Sequence, residues 1–416
     1  MIEVSETRLR ADIEANAQFG AIDTDNGRGR TVLTGTDANG NARDRLVERL
    51  EDAGLGVSVD RVGNIVGQWV PDTANSDAAP VAAGSHLDSV PCGGIFDGPL
   101  GVYAALESVR ALQESSVKPS RPVHVVCFTE EEGQRFGNGL LGSSVATGRM
   151  DVDEAQALTD DDGTTCAESL DRIGYHGTGR TDASEWKAWV ELHVEQGTRL
   201  EDAGAQAGIV TDIAGITHCY VDVSGHADHA GSTPMDDRTD AIAAASELVL
   251  ELETEANRVV TESSSTAVGT VGKLDASPNA TNVIAGDATL GVDIRDVNRS
   301  SIESLVDTLE ANARRIETDR GVDVDVRRPY MVPPQPMANR CRSAFRTAAE
   351  SADVSTLSLH SGAAHDTMNV ARVTDAGLLF AVSNDGVSHN PCERTEWEDC
   401  RAATAVLAGA IAELAA

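Results

Sequence analysis

The sequence predicts an α/β fold carrying a smaller α+β insert, and three observations lead there. Short apolar runs of strand length alternate with amphipathic helical stretches through the first half of the chain. Acidic and histidine residues follow directly on those runs, where open α/β sheets collect their ligands. From about residue 213 the texture shifts to period-two alternation before the earlier pattern returns. At 416 residues the chain also exceeds one ordinary hydrophobic core, so two domains are expected.

Residues 43–54 read as an amphipathic helix, followed by strands at 57–59 and 64–70 and a polar loop, PDTANSDAA. The apolar strand 81–84 runs into SHLDSVPCGGIFDGPLGV. A helix over 100–112 follows, with Pro99 in its first turn, where a missing N–H costs nothing. A second buried strand, VHVVCF at 123–128, ends at Glu130, Glu131 and Glu132. In AWVELHVEQG, Val190, Leu192 and Val194 share one strand face while Glu191, His193 and Glu195 share the other. The middle block opens with the alternating THCYVDVSG, continues in a helix over 240–256, and is expected to finish in further strands near 326. The Pro-rich RRPYMVPPQPM reads as a link back to the first domain, which closes with a helix from about 338, a strand at 377–383 and a helix over 399–414. The expected domains are therefore 1–212 with 327–416, and an insert at 213–326.

The formal charge of -34, from 67 acidic against 33 basic residues, opposes contact with phosphate backbones or anionic lipid, so neither nucleic acid nor membrane is an expected partner. The only lysines are Lys118, Lys187 and Lys273. Many carboxylates with almost no lysine resemble the proteins of salt-in halophiles, where molar salt shortens the screening length to about 3 Å. The seven cysteines are scattered and never form a CxxC pair, which fits neither a disulfide framework nor a zinc ribbon. The start MIEVSETRLRADIEANAQFG has no apolar run after a basic end, and no stretch reaches membrane-spanning length. A cytoplasmic, reducing location is the expectation.

Imidazole nitrogen and carboxylate oxygen hold divalent metals of the zinc and manganese type, and catalytic sites need those donors on rigid strand ends. His86 follows the 81–84 strand, with Asp88 two residues on, able to accept the other imidazole proton. Asp97 lies among Gly93, Gly94 and Gly98 in a loop free to bend sharply. Glu131 and Glu132 end the next strand, His193 lies on a third, and His389 sits in GVSHNP near the last. Any one of these has an ordinary structural explanation. Gathered at the strand ends of one sheet, they point to a two-metal hydrolase.

The motifs GSHLDSVPCGGIFDGPLGV, TEEEGQRF, ELHVEQG, ADHAGSTPM, SPNATNVI with VDIR, SGAAHD and GVSHNP occur in this order, within a resemblance that runs from about residue 60 to 395. They resemble the N-carbamoyl-L-amino-acid hydrolase, β-ureidopropionase and allantoate amidohydrolase family, part of a dimetal peptidase superfamily with carboxypeptidase G and the aminoacylases. The resemblance implies a catalytic α/β domain with a central mixed sheet around the metals, and an inserted dimerisation or lid domain. One metal would be held by His86, Asp97 and His193, and a second by Asp97, Glu132 and His389, with Asp97 bridging. Zinc is the first expectation for both ions, with manganese, cobalt or nickel able to use the same donors.

By the same resemblance Glu131 is the general base and Glu130 a solvated acid. His229 stabilises the oxyanion from the insert, with a site shared across a homodimer. Gln196 and Asn282 hydrogen-bond the substrate, a small ureido acid whose carboxylate pairs with Arg295. Roles for His226 and His365 stay open; His365 is read as supporting structure more than chemistry. The VDIRD text favours the carbamoylases over the allantoate enzymes. A dipeptidase or aminoacylase fits ELHVEQG and ADHAGSTPM less well. A non-catalytic homologue would be expected to lack a ligand or Glu131, and none is lacking.

Overall fold

The computed structural model of the protein describes residues 2–137 and 139–416. The chain divides into two compact units, one formed by Met1–Thr211 with Pro336–Ala416 and the other by Asp212–Gln335.

The first unit is built on a large mixed sheet. At its centre Ala376–Ala381, Ala188–Val194, Val81–His86 and Val123–Phe128 lie parallel in that order. Ile65–Trp69 and Ala207–Ile213 flank them antiparallel. Parallel strands are covered on both faces, which explains why they read as continuous apolar runs. Every residue of Val81–His86 and of Ala188–Val194 is buried, Glu191 and His193 included, so the polar face expected on the latter strand does not meet solvent. Helices Glu6–Asn16, Asp37–Asp52, Pro99–Glu114, Asn339–Ala352 and Trp397–Leu414 contribute Ile13, Leu46, Leu106, Phe345 and Leu407 to the larger core. Phe128, Trp186, Trp189 and Val370 belong to a smaller one.

Several elements differ from expectation. The helix expected from residue 43 begins at Asp37, capped by the Thr36 hydroxyl on the Asn39 amide, a start signal that lies ahead of the apolar pattern. Glu6–Asn16 was not anticipated, because its polar composition gives little periodicity. The Pro-rich link is largely strand: Asp323–Val332 contains Pro329 beside a register shift on an edge of its sheet, where proline is tolerated. That extension carries the insert's second boundary to 335.

The second unit is a four-stranded antiparallel sheet ordered Val268–Ser277, Asp287–Asp296, Gly215–Ser224, Asp323–Val332. It packs against helices Ala241–Glu262 and Arg299–Arg320 through Val221, Leu248, Leu290, Ile294 and Leu305. The sequence reading contained only the first helix; the second is rich in charge and runs where further strands were expected. Among the described residues no helix is long and apolar enough to cross a membrane, and all seven cysteines are free thiols.

Candidate metal centre and active site

Each parallel strand of the first unit delivers a donor at or just past its carboxyl end. His86 ends Val81–His86, Glu131 and Glu132 follow Val123–Phe128, His193 is the penultimate residue of Ala188–Val194, and His389 follows Ala376–Ala381. Register aligns them: His86 pairs with Phe128, and Phe380 with His193. Asp97 comes from the loop after His86. Gly98 lies at φ +80°, and a Cβ there would stand 2.6 Å from the His86 imidazole, so only glycine lets the Pro99–Glu114 helix start against that ring.

The donors converge on Asp97. Its Oδ1 is 3.6 Å from His86 Nε2 and 3.3 Å from His193 Nε2. Its Oδ2 is 3.6 Å from His389 Nε2, which in turn is 3.4 Å from Glu132 Oε2. These spacings exceed the roughly 2.7–2.9 Å of a charge-assisted hydrogen bond. They match the separation of about 3.4 Å between two ligands bound about 2.1 Å from one tetrahedral ion. Three donor groups result: His86 with Asp97 and His193, Asp97 with Glu132 and His389, and His86 with Glu131 and Glu132.

The other imidazole nitrogens are engaged by main-chain carbonyls. His86 Nδ1 lies 3.2 Å from the Asp88 carbonyl and His193 Nδ1 lies 3.1 Å from that of Val194, an arrangement that leaves Nε2 as the free lone pair. Asp88 was expected to do this with its carboxylate. That group is farther off, at 3.7 Å, because its Oδ2 receives the Glu132 amide at 3.1 Å. His86 Nε2 and Glu132 Oε1 are buried without a hydrogen-bond partner in the protein, a costly state that cations bound at these donors would remove.

Electrostatics point the same way. Burial, then Glu132, Asp366, Asp97 and Asp88, push Glu131 well above the usual carboxylate range. Burial, then Asp97 and Asp88, do the same to Glu132. Burial also opposes ionisation of Asp97, but His193, His86 and His389 outweigh it and hold that group well below its ordinary value. Burial carries His86 down to about 4, whereas in His193 the attraction of Asp97 overcomes burial and raises it to about 10. A cluster this rich in buried carboxylate and imidazole suits divalent cations, whose binding would displace the proton that Asp97 holds on His193.

Further groups hold the ligands. Gln196 Nε2 donates to Asp97 Oδ2 at 3.2 Å, which ties it to the bridging carboxylate. Three residues the sequence reading missed also act here. The Ser388 hydroxyl donates to Asp97 Oδ2 at 2.7 Å, Glu393 Oε1 accepts the amides of Phe96 and Asp97, and Arg30 lies fully buried behind the loop. Ser388 and Glu393 flank His389 in the chain, which is the one signal that marked them. Glu130 is not the solvated acid expected. It is buried at φ +55°, and its Oε1 accepts the amides of Arg135 and Phe136, closing the turn that presents Glu131 and Glu132. His365 is buried edge-on to His193, with ring centroids 4.6 Å apart, and bonds the Ser361 hydroxyl.

His229, Asn282 and Arg295 belong to the second unit. His229 is exposed on a two-residue strand paired with Val283–Ile284, and its Nδ1 accepts the amides of Gly231 and Ser232. The ring proton therefore sits on Nε2, ready to donate. Asn282 is exposed next to it, its carbonyl accepting the Ala230 amide. Arg295 makes a two-pronged ion pair with Asp293, at 2.8 and 3.0 Å, and Asp293 also meets His218 at 3.1 Å. His226 is exposed, with its amide bonded to the Thr239 carbonyl.

Comparison with known proteins places this geometry. Residues 82–413 match the model of Peptidase family M20/M25/M40. The chain belongs to that family. It is 36% identical over 402 residues to an N-carbamoyl-L-amino acid amidohydrolase of Geobacillus stearothermophilus, covering 96% of each chain. It is 34% identical over 391 residues to a ureidoglycolate hydrolase of Arabidopsis thaliana, covering 91% of this chain and 81% of the relative. Among solved structures, a hydantoinase/carbamoylase family amidase from Burkholderia multivorans superposes with a TM-score of 0.92 at 34% identity, over 100% of this chain and 98% of that one. The protein is a hydrolase of carbon–nitrogen bonds, and relatives of this kind act on N-carbamoyl amino acids or allantoate-like compounds.

Proposed function

We propose that the protein hydrolyses the ureido C–N bond of N-carbamoyl-L-amino acids, releasing the amino acid, carbon dioxide and ammonia. The observation that carries this reading is the division of Asp97: one oxygen faces His86 and His193, the other His389 beside Glu132. Two divalent cations would be held by those sets, supplying Lewis acidity and a water acidic enough to react near neutral pH.

Glu131 takes the proton of the attacking water and returns it to the departing amino nitrogen, its carboxylate kept ionised by the cations against the raising effect of burial and the neighbouring acids. Asp88, by receiving the Glu132 amide, keeps that acid pair in place. His229 donates from Nε2 to the developing oxyanion. Gln196 and Asn282 hydrogen-bond the ureido group, and Arg295 pairs with the substrate carboxylate in the planar geometry a guanidinium offers. In this reading the insert serves as a dimerisation and lid domain, and the partner subunit completes the site. The same carboxylate excess suits an enzyme working in the cytoplasm at high salt.

Hydrolysis of allantoate, ureidoglycolate or β-ureidopropionate is the second reading, supported by the relatives named ureidoglycolate hydrolase and probable allantoate deiminase. Ammonia release from N-carbamoyl amino acids, β-ureidopropionate, ureidoglycolate and allantoate, with added zinc or manganese at high salt, separates them. The fastest turnover is expected on an N-carbamoyl-L-amino acid. Turnover of allantoate alone would replace the first reading with the second.

A further inference from the structure

Arg30 is wholly buried, an unusual place for a guanidinium, and lies in the N-terminal stretch ahead of the residues that match the family model. Its surroundings are the loop that carries Asp97. Arg30 Nε donates to the Gly94 carbonyl at 3.1 Å, and one Nη lies between the carbonyls of Asp88 and Asp97 at 3.4 and 3.5 Å. The neighbouring backbone is stitched to the same loop: Arg30 N–H to the Gly93 carbonyl, Val32 N–H to the Ser89 hydroxyl, Ser89 N–H to the Val32 carbonyl, and Cys92 N–H to the Thr31 hydroxyl.

The loop is gripped by its amides as well. Glu393, four residues past His389, accepts the N–H groups of Phe96 and Asp97 at 2.8 and 3.0 Å, and its other oxygen lies 3.1 Å from the Ser388 hydroxyl that donates to Asp97. Arg30 thus holds carbonyls and Glu393 holds amides of one short segment, each on different peptide units. Between them the direction of the Asp97 carboxylate is fixed. We propose that Arg30 is a positioning residue for the bridging carboxylate, so that the N-terminal segment sets how well Asp97 serves two ligand sets at once. This rests on the two-cation reading above.

A charge role and a positioning role predict opposite signs. Removing a cation beside a site for dications strengthens their binding if charge alone matters; loosening the loop weakens it. The test is zinc or cobalt affinity of the full-length protein by chelator competition, with the visible spectrum of the cobalt form as a reporter of ligand geometry. Arg30→Met, which keeps length and loses the donors, is expected to bind about ten- to a hundredfold more weakly, the range for groups that orient metal ligands, and to shift the cobalt spectrum at saturation. Arg30→Lys keeps the charge and loses the fork, so it too is expected to bind more weakly.

Wild-type affinity or tighter binding in Arg30→Met overturns the proposal. If Arg30→Met does not fold, Arg30→Lys decides: weaker binding supports positioning, while unchanged binding, or a failure to fold, assigns Arg30 to charge or to the fold and overturns it. Failure of the wild-type protein to bind either metal would instead sink the two-cation reading itself, and this proposal with it.

Discussion

Between His86 and Gly98 the backbone is held by residues far away in sequence, Arg30 on one side and Glu393 on the other, and nearly all of it is buried. Around His229 the side-chain partners are local: the amides of Gly231 and Ser232 on its ring, the Thr233 hydroxyl on the His229 carbonyl, and Arg238 on the carbonyls of Ala230 and Thr233. The short backbone pairing with Val283–Ile284 and the Ala230 amide on the Asn282 carbonyl reach farther. That second segment is largely exposed. The contrast separates two kinds of preorganisation. The Asp97 loop is rigid because the whole fold determines it, so its geometry exists before any ligand arrives. The His229 loop fixes a tautomer but little else, which suits the proposed donor that meets substrate late.

The largest effect that tests this division is on Glu131→Gln. Its kcat is expected to fall by about 10²–10⁴, while metal content by elemental analysis stays at the wild-type level, because the base is not consumed as a ligand. Loss of metal would transfer Glu131 to the ligand set it shares with His86 and Glu132. Next comes His229→Ala, for which kcat is expected to drop by about 10²–10³ with an unchanged cobalt spectrum, since one oxyanion donor is lost and the metal loop is untouched. A disturbed spectrum would break the separation of the two regions.

The smallest effect concerns Arg295→Ala. Losing a charged contact of about 1.5–3 kcal/mol should raise KM for ureido acids by about ten- to a hundredfold, with kcat little altered. An unchanged KM would mean that Asp293, which already grips the guanidinium on two nitrogens, keeps it from the substrate.

What could be read from the sequence follows the same divide. The strand at 123–128 matches Val123–Phe128, and the helix starting at Pro99 was visible, because buried parallel strands and proline-led helices write themselves into local pattern. The candidate donors His86, Glu132, His193 and His389 could be named from their places near strand ends and Asp97 from its glycine-rich loop, and in the structure the three imidazoles lie 3.3–3.6 Å from Asp97 with Glu132 3.4 Å from His389. Illegible were the features made by distant contact. A buried Arg30 looks like any other arginine in a chain short of lysine. Glu130 and Glu131 are chemically identical neighbours, and only the turn at φ +55° sends one to backbone amides and leaves the other facing His86. The Arg299–Arg320 helix was lost for a related reason: its apolar stripe, Ile302, Leu305, Leu309 and Ile316, is diluted by charge.

Anomalous diffraction from crystals grown with zinc or manganese, recorded at the absorption edge of the metal, tests most directly whether Asp97 is shared. The expected map has two peaks per subunit, one between Asp97 Oδ1 and the imidazoles of His86 and His193, the other between Asp97 Oδ2, Glu132 and His389. A single peak, or peaks that leave Asp97 uncoordinated, would contradict the account.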